Sequence, residues 1–255
     1  MKKCIWCSRN DNDVNFNTLA HTFPQSLGGK NICLNVCDSC NFEFGKKQSF
    51  QPSVDLAVKE IFNLSRFLIS DSKNISSYKR FSSEYFKVNL QRRQINIKMK
   101  YKLQSKFQEN FARSFKRGIY KIFLEERERI CGDSHSDEFN FIREFSRYNL
   151  NDVPLYYLRP RYPILLIDQE QLDNPKLHFT ESDLELHRKY RLYEFYYGGY
   201  SYLLHTNAFM QDLHINKYNA EVVMKNKNSM ILSTLVQIHR MEDLDFRYNL
   251  FNDGL

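Results

Sequence analysis

Residues 4–45 read CIWCSRNDNDVNFNTLAHTFPQSLGGKNICLNVCDSCNFEFG and contain two C-x-x-C pairs. The first pair is Cys4 and Cys7, and the second is Cys37 and Cys40. Each spacing lets two sulfurs reach one ion, and four soft ligands of this kind are typical of a closed tetrahedral zinc site. Redox-active pairs or disulfides are the weaker interpretation, because no thioredoxin-like strand and helix surround either pair. We therefore predict a structural Zn²⁺ site.

Three further motifs lie between and after these pairs. They are His21-Thr22-Phe23-Pro24, Leu27-Gly28-Gly29, and the stretch Asn41-Phe42-Glu43-Phe44-Gly45 that follows the second pair. Taken together with the cysteines, their order and spacing resemble the HNH endonuclease family, the zinc-stapled ββα-metal nucleases. The resemblance covers Cys4 to about Gly45 and implies two strands followed by a helix. A segment of this length gains stability from a bound metal because its apolar core is small.

The resemblance also implies a role for three residues. His21 would be the general base that takes a proton from the attacking water, and histidine exchanges protons near neutral pH. Asn41 would hold a catalytic Mg²⁺ or Mn²⁺ ion at the scissile phosphate. Asn31 would orient His21 or the turn through its side-chain amide. Many members of the family carry an acidic residue immediately before the histidine, where this chain has Ala20. A catalytically degenerate zinc module that binds nucleic acid or protein is therefore the alternative.

The composition describes a globular chain with a local concentration of positive charge. The chain has 255 residues, of which 42% are hydrophobic and 26% charged, and its formal net charge is +7. This length corresponds to one large or two small domains. Residues 87–129 contain 13 Lys and Arg against 4 Asp and Glu, so this segment alone carries +9. Such a stripe is the expected footprint for a polyanion. A solvated face of a hairpin and helix is the alternative, and composition alone slightly favours it.

The middle of the chain predicts three helices and a hairpin. Apolar spacing indicates helices over 54–68, 105–130 and 137–148, whereas residues 84–103 alternate like a half-buried strand pair with a row of lysines. The hairpin would turn over 91–94. We assign contacts with the DNA backbone to eight basic residues of this region: Arg92, Arg93, Lys98, Lys100, Lys102, Arg113, Lys116 and Arg117.

From Val153 onward the pattern becomes strand-like and rich in tyrosine. The segments PLYYL, YPILLID, KYRLYEFYYGGYSYLLH and NAEVVM predict an antiparallel sheet, with a tight turn at Gly198-Gly199. We interpret the tyrosines as core or interface residues in preference to base-stacking ones. The charge run from Glu125 to Arg129 is interpreted as a solvated helix face. His187 and His205 are interpreted as hydrogen-bonded sheet residues, and Cys33 and Cys131 as small buried ones.

These patterns combine into an α+β fold with three regions. We predict an N-terminal ββα-metal (HNH) zinc module over 1–52, a connecting hairpin and helical region over 53–150, and an antiparallel β-rich C-terminal domain over 151–255. The last region would serve specificity, regulation or partner binding.

The expected function is hydrolysis of phosphodiester bonds in double-stranded DNA. The resemblance extends to restriction or phage defence, in which a protein partner in a defence complex is possible. A homodimer is possible as well, because cutting both strands with one site per chain favours two copies. RNA cleavage is a further alternative. The longest apolar stretches, such as 163–167, are too short to cross a membrane, and no apolar segment follows the initial lysines. We expect a cytoplasmic protein without a membrane partner.

Overall fold

The computed structural model describes residues 2–69, 82–89, 94–160, 169–224 and 233–244. Its central element is a 27-residue helix, which we call α4, over Ser105–Cys131. The other α-helices of these ranges are α1 Asp38–Gly45, α2 Val54–Ile69, α3 Met99–Lys102, α5 Asn140–Tyr148, α6 Gln169–Asp173, α7 Glu181–Tyr190 and α8 Gln211–Tyr218. Within the same ranges, no helix has both the length and the apolar character that crossing a membrane requires.

Two antiparallel sheets accompany the helices. A hairpin pairs β1, Phe86–Asn89, with β2, Gln94–Ile97, so that Phe86 lies opposite Ile97. The second sheet has the strand order β4-β5-β3-β6. Its strands are β3 Leu155–Pro160, β4 Leu192–Tyr197, β5 Tyr200–His205 and β6 Ser233–Gln237. The α+β class with antiparallel sheets is therefore confirmed, as is the tight turn at Gly198-Gly199 between β4 and β5.

Helix α4 is buried along most of its length. Phe111, Phe115, Ile119, Ile122 and Phe123 are at most 1% exposed, and so are Tyr120 and Leu124 on other faces. Its remaining face carries charged side chains that are buried as well. Helix α2 packs along α4, and one continuous cluster of buried side chains extends from Cys4 through α4 to Leu244. The tyrosines of β4 and β5 contribute to this core, with Tyr197, Tyr200 and Tyr202 fully buried.

The predicted second strand of the hairpin was too long. The structure ends β2 at Ile97 and begins α3 at Met99, so the lysine row of the alternating pattern does not lie on a strand. Met99 and Leu103 remain 65% and 78% exposed, while the ring of Tyr101 packs 5.0 Å from that of Tyr85. Residues four apart share one face of a helix. The helical turn therefore exposes Met99 and Leu103 together.

Other expectations in the C-terminal half are also corrected. The NAEVVM segment is a turn of π-helix over Asn219–Val223 and not a strand. Helices α7 and α8 interrupt the strands where only strands were expected. His187 lies on α7 and not in the sheet, although its Nδ1 is hydrogen-bonded to Thr206 Oγ1 at 2.7 Å. His205 does lie in β5, but neither nitrogen of its buried ring has a hydrogen-bond partner, and burial lowers its pKa to about 4. Cys33 is buried as expected, whereas Cys131 is exposed.

Candidate active site and metal cluster

The four paired cysteines form one cluster. The sulfur atoms of Cys4, Cys7, Cys37 and Cys40 all lie within 4.8 Å of one another, and the Cys7 and Cys37 sulfurs are 3.8 Å apart. A disulfide bond requires about 2.05 Å between sulfurs. Zn–S bonds of about 2.3 Å in a tetrahedron place sulfurs roughly 3.8 Å apart. The geometry of the cluster therefore fits a single Zn²⁺ ion.

The protonation chemistry of the cluster also fits a dication. The hydrogen bond from Cys40 lowers the pKa of the Cys4 thiol to about 4, whereas burial raises the pKa of Cys37 to about 11. The hydrogen bond to Cys4 and burial also raise the pKa of Cys40. Burial thus opposes ionisation of Cys37 and Cys40, and a bound cation would stabilise their thiolates. Arg147 on α5 donates to Cys40 Sγ at 3.3 Å, which adds positive charge beside the cluster.

A narrow hairpin carries His21 next to the cluster. The backbone of His21 forms a bridge with Ile32, and Thr22 N donates to Asn31 O at 3.1 Å. The pairing is thus limited to a bridge, shorter than the two strands that the resemblance implies. The chain turns at Gly28, which has a φ of 87°, and Gly29 packs against Phe23. A β-carbon at position 29 would lie 2.1 Å from Phe23 O, so the second glycine of the Leu-Gly-Gly motif is sterically required.

The imidazole of His21 is held in one orientation by its neighbour Gln25. The Gln25 side-chain nitrogen lies 2.8 Å from His21 Nε2 and donates to it, so Nε2 carries a lone pair and Nδ1 carries the proton. His21 Nδ1 is buried and has no hydrogen-bond partner among the described residues. The Nε2 lone pair is the group that a general base requires, and in this structure it accepts from Gln25.

Asn41 lies beside the strand that leads to His21. It is in α1, directly after the second cysteine pair, and its Nδ2 donates to Thr18 Oγ1 at 3.2 Å and to Leu19 O at 3.5 Å. These bonds leave the Asn41 side-chain oxygen as an available ligand atom. Asp38 stabilises the same loop, because its Oδ1 accepts from Asn17 N and Thr18 N at 2.8 Å. These hydrogen bonds lower the pKa of Asp38.

The structure does not give Asn31 the predicted role. Its Nδ2 donates to Pro175 O at 3.4 Å, which directs the side chain towards the C-terminal half of the molecule. Its backbone carbonyl still closes the hairpin through Thr22. Asn31 therefore contacts the hairpin with its backbone and a distant loop with its side chain, and it does not orient the imidazole.

Three charged residues of α4 support the hairpin and were not predicted from the sequence. Lys121 is 2% exposed and donates to His21 O at 3.1 Å. The same ammonium lies 3.2 Å from Glu125 Oε2 and 3.3 Å from Asp55 Oδ1. Glu126 is fully buried and accepts from Thr22 Oγ1 at 2.6 Å. The interpretation of residues 125–129 as a solvated face was therefore wrong at its first three positions, since Glu125, Glu126 and Arg127 are all buried.

A signal for these buried charges was present in the sequence. Tyr120, Ile122, Phe123 and Leu124 are apolar in nearly unbroken succession, so no face of the next turn is obviously outward. Lys121 and Glu125 are also spaced four residues apart, the spacing of an ion pair on a helix. Glu125 accepts from Trp6 Nε1 at 3.1 Å, and burial raises its pKa to about 7. The Lys121–Glu125 ion pair thus connects α4 to Trp6, which lies between Cys4 and Cys7.

The predicted DNA-backbone residues do not form one surface. Lys116 and Arg117 are only 4% and 5% exposed; Lys116 binds Asp152 at 2.7 Å and Arg117 donates to Ser146 O at 2.9 Å. Burial lowers the pKa of Lys116, and it lowers that of Arg117 to about 10. Arg113 binds Asn149 and Asp152. These three were expected on the outside of the helix. Arg113 and Lys116 instead anchor the loop before β3, and Arg117 binds the backbone of α5.

The remaining candidates of this group lie elsewhere. Lys98, Lys100 and Lys102 are exposed, and Lys98 Nζ donates to Ser83 O at 2.7 Å. Arg92 and Arg93 lie outside the described residues. The positive charge of residues 87–129 is therefore partly internal, and its accessible part is centred on α3.

Comparison with known protein families identifies the N-terminal segment. Residues 4–51 match the HNH endonuclease family. Residues 4–51 form an HNH domain. No curated protein and no solved structure matches the chain. The HNH domain spans the cysteine cluster, the His21 hairpin and α1, so the zinc-compatible cluster and the two candidate catalytic residues belong to one unit.

The HNH domain provides few protein ligands for a second cation. Ala20, before the histidine, is fully buried and apolar. Within the described part of the chain, the four cysteines are the one group of three or more metal-binding side chains close enough to share an ion. Glu43 is two residues beyond Asn41 and pairs with Lys46 at 3.5 Å. A cation at this site would therefore take the Asn41 oxygen, with water and substrate completing its coordination, which suits Mg²⁺ or Mn²⁺.

Proposed function

We propose that the protein is a DNA endonuclease that hydrolyses phosphodiester bonds with a divalent cation. The observation that carries the proposal is the hydrogen bond from Asn41 Nδ2 to Leu19 O, at 3.5 Å and two residues before His21, within an HNH domain. Structural Zn²⁺ would be bound by Cys4, Cys7, Cys37 and Cys40. It would join the first cysteine pair to the start of α1, and its role would be structural because a four-cysteine site leaves no open position for substrate.

His21 supplies the proton acceptor in this proposal. Gln25 keeps the lone pair on Nε2, and a water that replaces Gln25 there would lose its proton to that nitrogen as it attacks phosphorus. Lys121 holds the His21 carbonyl and thereby fixes the position of the base. The cation bound by Asn41 supplies electrostatic stabilisation of the charge on the leaving oxygen.

The first experiment measures nicking of supercoiled plasmid with Mg²⁺ or Mn²⁺. We expect wild type to nick the plasmid, His21→Ala to lose at least 100-fold in rate, and EDTA to stop the reaction, since general bases contribute about 10²–10⁴-fold. His178→Ala is the matched control, because His178 is exposed and lies outside the HNH domain. Equal rates for wild type and His21→Ala would refute the enzymatic proposal. Competition with duplex RNA distinguishes DNA from RNA cleavage.

A non-catalytic role is the second candidate function. The buried Ala20 favours it, because the resemblance places an acidic metal ligand at that position. In this case the HNH domain would bind nucleic acid or a protein partner without cutting. DNA binding by both wild type and His21→Ala, without metal-dependent nicking by either, would support this candidate. Roles in restriction or phage defence, a homodimer and a cytoplasmic location belong to the proposal and are separate questions from cleavage.

A further inference from the structure

A hollow of about 220 Å³ lies between the end of the HNH domain and the short helix α3. The residues that line it are Lys47, Gln48, Phe50, Gln51, Pro52, Glu84, Tyr85, Lys100, Tyr101, Gln104 and Phe107. Its floor is an aromatic cluster, in which the ring of Tyr101 lies 4.5 Å from that of Phe107 and 5.0 Å from that of Tyr85. We call this hollow the aromatic pocket. It combines flat apolar rings with amide and ammonium groups.

Phe50 places an uncovered ring at the edge of the aromatic pocket. The residue is 73% exposed and has a φ of 57°, a conformation that is unfavourable for a side chain of this size. Hydrogen bonds nevertheless hold the backbone in this conformation. Gln48 and Gln51 exchange backbone hydrogen bonds of 3.3 and 3.2 Å, and Asn110 donates to Phe50 O at 3.2 Å. Strained residues held in this way concentrate at binding sites. The loop thus holds the Phe50 backbone in a conformation that exposes the ring.

Lysine side chains surround the aromatic pocket. Lys100 Nζ lies 5.5 Å from the centre of the Tyr101 ring, and Lys47 is on the opposite rim, 2.8 Å from Glu84. Lys102 and Lys106 are exposed nearby in sequence, in α3 and at the start of α4. Sites for single-stranded nucleic acid combine stacking rings with a basic path for the backbone. The accessible positive charge of this region therefore meets the exposed aromatic ring at one place.

We infer that the aromatic pocket binds an unpaired nucleobase of a DNA strand. The base would stack on Phe50 and Tyr101, with Gln48 and Gln104 at its polar edges and Lys100 and Lys47 near the adjoining phosphates. Pockets for drug-sized ligands span about 300–1,000 Å³, so 220 Å³ suits one ring system and not a whole nucleotide. The inference rests on the proposed function and gives the nuclease a substrate subsite. Only five residues separate Phe50 from Gly45, the end of the helix that carries Asn41.

The test uses fluorescence of a single-stranded 12-nucleotide DNA that contains one 2-aminopurine, with EDTA present so that nothing is cut. We expect binding to quench the probe, and Phe50→Leu to weaken binding about 10-fold, because stacking on one aromatic side chain contributes a factor of this order. Phe209→Leu is the matched control, since Phe209 is 77% exposed and far along the chain, outside the aromatic pocket. It should bind like wild type. Lys100→Ala should bind more weakly and flatten the salt dependence.

Each outcome decides a separate point. Equal DNA affinities for wild type and Phe50→Leu would refute base binding in the aromatic pocket. Equal losses of affinity in Phe50→Leu and Phe209→Leu would refute it as well. Binding of free 2-aminopurine deoxynucleoside monophosphate as tight as that of the 12-mer, measured by the same quenching, would contradict a strand-binding subsite. Plasmid nicking by wild type is measured separately. If wild type nicks plasmid while Phe50→Leu binds normally, only the subsite is refuted; if Phe50→Leu loses binding while wild type nicks nothing, only the hydrolytic function is refuted.

Discussion

At the residue scale, a buried ion network positions the candidate base. Lys121 contacts the His21 carbonyl and two carboxylates, those of Asp55 and Glu125. Lys121 and Glu125 are buried, whereas the Asp55 side chain is 35% exposed. A buried ion pair adds little net stability, but removing one partner leaves an uncompensated charge. The network therefore helps to hold the His21 hairpin against α4. An interpretation of α4 as a basic outer face does not predict this role.

Lys121→Met tests this network. We expect a loss of about 3–5 kcal/mol in the free energy of unfolding, because Glu125 and the His21 carbonyl lose their buried donor. Urea unfolding followed by circular dichroism measures the change. Lys106→Met is the control on the same helix; the Lys106 side chain is 81% exposed, and its replacement should change stability by less than about 0.5 kcal/mol. Similar stability of the two variants would contradict the buried network.

At the scale of elements, the crossing of α2 over α4 depends on one glycine. Gly118 lies where a β-carbon would be 2.2 Å from Val58 Cγ2 and 3.3 Å from Val54 O. Alanine is the better helix former by about 1 kcal/mol, so helix propensity alone would favour replacing the glycine. The glycine is therefore required by packing and not by helix formation. It allows α2, which follows the HNH domain, to approach the central helix closely.

Gly118→Ala should destabilise the protein by about 1–3 kcal/mol despite its better propensity, because overpacking displaces α2. Thermal unfolding provides the measurement. Gly45→Ala, at the end of α1, has no atom within 4 Å of the new β-carbon and should be neutral or stabilising. Adding Val58→Ala to Gly118→Ala should recover part of the loss by restoring space. If the double variant is no more stable than Gly118→Ala, the loss of stability has a cause other than the contact with Val58.

The elements also show what the sequence could predict. Cysteine spacing and the His21 and Asn41 motifs are local, so they identified the cluster and two residues of the candidate site. The helices over 54–68 and 105–130 were predicted because their apolar spacing is regular. The positions of Asn31, Lys116 and Glu126 were not predicted because their side chains bind residues 36 to 144 positions away, namely Pro175, Asp152 and Thr22. The local pattern of apolar and charged residues along the sequence carries no information on such distant partners.

At the scale of the whole molecule, the cysteine cluster is built into the common core. Trp6, the single tryptophan, lies between the first two cysteines, is 1% exposed and donates to Glu125 of α4. Arg143 and Arg147 of α5 reach Ile5 O at 2.8 Å and Cys40 Sγ at 3.3 Å. Loss of the metal would therefore disturb contacts with two helices outside the HNH domain. The division into regions 1–52, 53–150 and 151–255 stays a prediction.

Cys37→Ser should lower the zinc content and shift the fluorescence of Trp6 to longer wavelength, because the indole would become exposed to water. Metal analysis and emission spectra measure both changes on the same sample, and wild type should contain about one zinc per chain if four thiolates bind one ion. Cys131→Ser is the control, as Cys131 is exposed and outside the cluster. A zinc-loaded Cys37→Ser protein with a buried indole would exclude the structural role.

The length of α4 sets a spacing between the two places where we propose that DNA binds. Phe107 forms part of the aromatic pocket, and Lys121 holds the carbonyl of His21. These positions are 14 residues apart on one continuous helix, or about 21 Å along its axis at 1.5 Å per residue. That distance corresponds to roughly six nucleotides of a B-form strand. The helix would then fix the distance between the two sites, so that the cut lies a fixed number of nucleotides from the bound base.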